Sequence, residues 1–260
     1  MVNRIALAAV AVAAAVALTS CVRLVQNGFD DSHSVSDQVT EVRLQNGSGD
    51  VIVRSRTGGG DNTEIRRRVE YPKDMDKPGV SHRMEGSTLV LDGCGSQCSV
   101  DYEVTVPSKE VRITGENNSG DVRLEGVAGV DVEIGSGDAT VRAVSGAVRI
   151  SNGSGDLDVA DVAGDFTGEI GSGNAKLSDM RGPVTIDNRS GDVHVRMTAV
   201  VSVRAEADSG NLTVDVPQGA YNVDVESGSG DTAVDVKDDP NASAALVLRA
   251  RSGDVTVSGA

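Results

Sequence analysis

Tryptophan is absent from these 260 residues, and only three tyrosines and two phenylalanines occur. A core must therefore be built from Val, Leu, Ile and Ala. The aromatic platforms on which sugars or single-stranded nucleic acids stack are missing. Lysine and arginine total 24 against 39 Asp and Glu, a formal charge of −15. That balance opposes nucleic-acid binding and spontaneous adsorption to anionic lipid. Histidine occurs three times, at His33, His82 and His194, which leaves few bases for a nucleophilic triad. Cysteine also occurs three times, at Cys21, Cys94 and Cys98. The long apolar stretch Ile5 to Leu18 is too short for a membrane span.

What the chain has instead is a repeat. Ser-Gly-Asp, or its near copy Ser-Gly-Asn, occurs nine times, as Gly49-Asp50, Gly120-Asp121, Gly137-Asp138, Gly155-Asp156, Gly173-Asn174, Gly191-Asp192, Gly210-Asn211, Gly230-Asp231 and Gly253-Asp254, each after a serine. From Gly120 onward the glycines are 17, 18, 18, 18, 19, 20 and 23 residues apart. A period of this length marks a repeat architecture. Within each unit apolar residues alternate with polar ones, the mark of a half-buried strand. Three and five residues after the serine stand pairs such as Ala139 and Val141 or Leu157 and Val159; six before it stand Val130, Val148, Phe166 and Val184. The apolar parity changes across the tripeptide, so a corner or bulge must lie there. Glycine accepts the positive φ of such a corner, and Asp or Asn can turn its side-chain oxygen onto nearby backbone N–H groups.

One unit cannot bury its apolar side, whereas stacked units form a continuous core. The pattern predicts an all-β fold: a parallel β-solenoid of roughly 18-residue rungs with a β-hairpin insert near its N-terminal end. Residues 39–260 form the repeat domain, and Val39 to Arg54 is read as its first rung. Within it, 56–109 is an irregular hairpin and capping insert with strand-like runs at Thr63 to Tyr71, Ser87 to Leu91 and Val100 to Val106. A cap is needed to cover the open end of a stack.

The N-terminus reads as an address. Arg4, the apolar stretch, then Leu18-Thr19-Ser20-Cys21 have the form of a secretory signal peptide. Its end resembles a bacterial lipobox, which implies cleavage before Cys21 and lipid on its thiol; the alternative is an ordinary cleavable signal. Residues 1–20 are thus expected to be the lipoprotein signal peptide, and 21–38 a tether holding the domain off the bilayer. Outside the cytoplasm, Cys94 and Cys98 are expected to form a disulfide; free thiols and a metal site are the other readings.

Serines lie at corners, His194 between inward-facing Val193 and Val195 should point outward, and His33 and His82 fall in the tether and in an insert loop. Paired carboxylates could serve a glycosidase, but the Asp column is the corner itself, and Asn replaces Asp at 174 and 211. Calcium β-rolls share the Gly/Asp richness, yet Asp156 comes one place early for their motif. A phosphate loop would need a helix after its glycines. No cofactor or metal is expected.

The repeated corners, the segment Val100 to Pro107 (VDYEVTVP) and the late Gly219 to Val225 (GAYNVDV) resemble bacterial DUF4097-type β-strand-repeat proteins, often given an adhesin label. The resemblance covers about 39–260 and implies a β-solenoid at the cell envelope, without catalytic residues to carry over. The expected function is a non-enzymatic envelope lipoprotein, attached to the membrane through Cys21, that binds or scaffolds an envelope protein or polysaccharide. The alternatives are an envelope-stress or signalling accessory that binds a membrane protein, and a solenoid enzyme acting on polysaccharide.

Overall fold

The structure is a computed structural model that describes residues 26–58 and 60–259. They form twenty-four strands in two twelve-stranded sheets, with no helix among the described residues. The unit of construction is a pair of strands joined by the Ser-Gly-Asp corner. Val148–Ser154 lies in one sheet, which we term the leading sheet; Leu157–Val162 follows in the other, the trailing sheet. Successive units pair in parallel with like residues in register, as Val148 with Phe166 and Leu157 with Ala175. Identical columns are thus brought onto one another, and the inward members of both sheets form a single aliphatic core. Phe166 fits because Gly168 lies beside it: a Cβ there would meet the ring at 2.8 Å.

Ten such rungs stack, a rod roughly 45 Å long at the usual strand spacing. Their order in space is not their order in sequence. At the N-terminal end, Glu41–Asn46 lies between Thr88–Asp92 and Arg112–Ser119 in the leading sheet, and Val51–Ser55 lies between Ser99–Val106 and Val122–Glu125 in the trailing sheet. The stretch Val39 to Arg54 is therefore the second rung, and a rung drawn from residues 88–106 lies outside it. At the other end, Ala245–Ser252 is inserted between Val203–Ser209 and Ala220–Ser227, and Val255–Gly259 between Leu212–Val216 and Thr232–Asp235. The chain's last strand consequently has neighbours on both edges.

Antiparallel strands close the N-terminal end. Thr63–Pro72 pairs with Ser99–Val106, Gln26–Val35 pairs outside Thr63–Pro72, and His82–Glu85 folds back on Thr88–Asp92. This corrects two expectations. Residues 26–35 form an edge strand rather than a tether, and His82 lies on a strand rather than in a loop. The period of two in 26–35 is concealed because its inward positions include Asp31 and His33 beside Phe29 and Val35.

Candidate binding surface

The corner column is a frame held from inside and outside. Its nine glycines all have positive φ, from 117° to 157°. A Cβ on Gly155 would lie 2.2 Å from the carbonyl oxygen of Gly137, one rung away. Glycine is thus required both by conformation and by the approach of stacked backbones. On the outside, every corner Asp or Asn side chain except that of Asp231 accepts the backbone N–H of the same column in the next rung: Asp50 accepts from Asp121, Asp121 from Asp138 and Asp138 from Asp156, at 2.8–2.9 Å. Asn174, Asp192, Asn211, Asp254 and Asp231 donate in the same way. The side-chain oxygen reaches the neighbouring rung, not its own turn. Asn174 and Asn211 also donate their amides to Asp156 and Asp192, which relieves the repulsion between stacked carboxylates.

Inside, a second polar column escaped the sequence reading. Asn46, Asn117, Asn152 and Asn188 are buried in the core. Asn152 donates to the carbonyls of Gly137 and Gly155, and Asn188 to those of Gly173 and Gly191. An amide has two N–H donors, so one Asn serves two corners. This explains why the same column holds Ile134 and Ile170 in the intervening rungs. The available signal was an asparagine recurring at every second rung from Asn117 to Asn188, with Asn46 in the rung before, in an otherwise apolar column.

The N-terminal cap holds the buried charge. Arg67, 3% exposed, grips Asp31 through two bonds of 2.9 and 2.5 Å and donates to Ser81 Oγ at 2.7 Å. The guanidinium holds the Asp31 carboxyl below its ordinary pKa. The single proton of Tyr102 Oη faces the backbone carbonyls of Ser81 and Asp92, at 2.6 and 2.7 Å, and burial pushes its pKa up to about 12. His33 and His82 meet edge to face, 4.6 Å between ring centres. Burial, His33 and Arg67 bring His82 down to about 4. Cys94 and Cys98 are joined by a disulfide that closes an extended corner of the outermost rung. Cys21 lies outside the described residues.

Among the described residues, the one Ser, His and Asp grouping is not in the order of a catalytic triad. His194 is exposed, and its Nε2 lies 2.7 Å from Asp215 Oδ2. Ser258 donates to the other oxygen of Asp215. The acid therefore stands between serine and imidazole, whereas a triad needs the imidazole against the nucleophile. No group of three or more His, Cys, Asp or Glu is placed to hold a metal ion among the described residues.

What remains open to solvent is the outer surface of the sheets. On the leading sheet Glu116, Glu133, Ser151, Glu169, Asp187 and Glu206 form one row in register across consecutive rungs. A shallow groove of about 470 Å³ runs over this row from Ser151 to Glu206, lined in part by Glu169, Asp187, Arg189, Glu206 and Asp208. Burial raises the pKa of Asp187, and Glu206 and Glu169 add to the rise against Arg204.

Several solved structures align with most of this chain at low identity. A "putative adhesin" from Bacteroides fragilis aligns over 90% of this chain and 97% of its own, with 13% identity and a TM-score of 0.49. A "putative cell adhesion protein" from Clostridium sporogenes aligns over 90% and 100%, with 11% identity and a TM-score of 0.33. No curated protein matches the chain. The family model described as Toastrack DUF4097 matches residues 85–258, the span that carries eight of the nine repeated corners, and the chain belongs to that family.

Proposed function

We propose that this protein is a non-enzymatic, lipid-anchored component of the bacterial cell envelope, whose rigid solenoid presents its outer leading face to a protein or polysaccharide, as an adhesin or scaffold does. The observation that carries the reading is the groove over the in-register row from Ser151 to Glu206. The corner Asp and Asn side chains other than that of Asp231 are engaged in joining rungs, while this row stands on a surface fixed by the frame beneath. A cationic protein segment or an amino-sugar polymer suits it by charge.

The test is retention of envelope material on the full chain, purified in detergent, beside the triple variant Glu169→Lys, Asp187→Lys, Glu206→Lys. One protein or glycan held by the parent and lost from the variant supports the reading. Equal retention on both would refute it. The anchor is tested separately: Cys21→Ala should abolish labelling by radioactive palmitate and move the protein from the membrane to the soluble fraction. Unchanged labelling and location would remove the anchor from the proposal.

A further inference from the structure

The two ends of the stack are finished differently. Antiparallel strands and the Arg67 network close the first. At the other end, in the outermost rung, Ala220–Ser227 is paired on its outer side at Ala220 and Tyr221 by the short Lys237–Asp238, while Thr232–Asp235 is the edge strand of the trailing sheet among the described residues. Val234 is 43% exposed, whereas Val214 and Val257 in the same column are at 0 and 1%. Val223 and Val225 are half-buried beside fully buried Leu246 and Leu248.

The polar groups of this edge are equally unfinished. Gly210 and Leu212 donate their N–H groups to Ser252 and Asp254 of the following rung. Gly230 and Thr232 stand in the same columns, so their N–H groups point outward from the last rung. Among the described residues, Asp231 is the one corner carboxylate that accepts no hydrogen bond from another rung. Residues 222–239 carry six carboxylates and one lysine. Asp224 and Glu226 share Arg249, Asp238 accepts the N–H of Val223, and Asp239 that of Asn241. Asp231 and Asp235 stand outside these pairs.

We propose that this edge is a docking site for an extended strand of another protein, one that alternates small aliphatic with cationic side chains. Such a strand would continue the trailing sheet by main-chain hydrogen bonding, the usual mode of strand addition. Its aliphatic side chains would cover Val234, and its cationic ones would meet Asp231 and Asp235. A second copy of this chain fits poorly, because pairing the edge with itself sets these carboxylates against one another.

The probe is a labelled nine-residue synthetic peptide of alternating Val and Lys, titrated against the full chain in detergent and followed by fluorescence anisotropy. A peptide with Glu in place of Lys is the control. Thr232→Pro removes an outward N–H without breaking a rung-to-rung bond, and Asp231→Asn with Asp235→Asn removes the charge without touching the backbone. Each is expected to weaken binding at least tenfold. Glu169→Gln with Glu206→Gln, which removes equal charge from the leading face, should leave it unchanged and so separates this site from the face proposed above. Three results would overturn the proposal: Lys and Glu peptides binding alike, the edge variants binding as well as the parent, or the face variant losing as much. Concentration-dependent dimerisation abolished by Thr232→Pro would give the edge to a second copy and would overturn it too.

Discussion

At Asn152 a single amide holds two corners, and the neighbouring rungs show what its absence would do. Ile in this position packs well, as Ile134 and Ile170 do, so Asn152→Ile should fold. It would leave the carbonyls of Gly137 and Gly155 without their side-chain donor. A lost partner at a buried carbonyl costs about 1–3 kcal/mol, partly offset here because Asn152 Oδ1 is itself buried without a partner. We expect a net loss of about 2 kcal/mol, read as a lower urea midpoint with unchanged slope. The glycines give a sharper contrast. Gly155→Ala puts a methyl group 2.2 Å from a carbonyl oxygen at a φ of 130° and should cost more than about 3 kcal/mol. Gly47→Ala, with nothing within 4 Å of the added carbon, should stay within about 0.5 kcal/mol. Equal losses from the two would show that stacking contact is not what the corner glycine provides.

The element that decides the cap is the edge strand Gln26–Val35. It brings Asp31 to Arg67 and His33 to His82, so its docking depends on pH. His82 titrates near 6.5 when unfolded and near 4 when folded. The unfolded chain therefore binds the extra proton between these values, and stability falls as pH drops from 6.5 towards 4. Replacing His82 by Phe should flatten the dependence of the urea midpoint over that window; an unaltered slope would place the titration elsewhere. This strand also shows where sequence reading fails. The aliphatic columns from Val122 to Val257 announce their period because each faces a plain core. Asp31 and His33 sit at inward positions and break the apolar alternation, since their partners are a buried guanidinium and an imidazole some fifty or fewer residues away. Nothing local in the sequence signals such pairs. The rung at 88–106 was hidden for a related reason: Val100-Asp101 takes the place of Gly-Asp, because the antiparallel strand beside it does not require glycine.

At the scale of the whole molecule, the exchanged order of rungs reverses the usual tolerance of chain ends. Trimming a terminus is normally mild. Here a stop after Ala244 would remove both strands of the ninth rung and separate the tenth from the stack. The shortened chain is expected to lose cooperative unfolding beyond the eighth rung. Hydrogen exchange on the intact protein should protect Val255–Gly259 better than Thr232–Asp235, although the former is nearer the chain end; the reverse order would contradict the interleaved topology. Periodicity alone could not reveal this arrangement, because every rung presents nearly the same columns to its neighbours. That sameness has a consequence for how the chain reaches its native state. The segment 220–238 is synthesised before the strands on which it finally rests. Until those strands arrive, it faces Val203–Val216, whose corner and aliphatic columns match it almost as well. Docking there would be a misstep one rung out of place, to be undone before Ala245–Gly259 can enter. Completion of the stack thus waits on Ala245–Gly259, which enters by insertion rather than by addition.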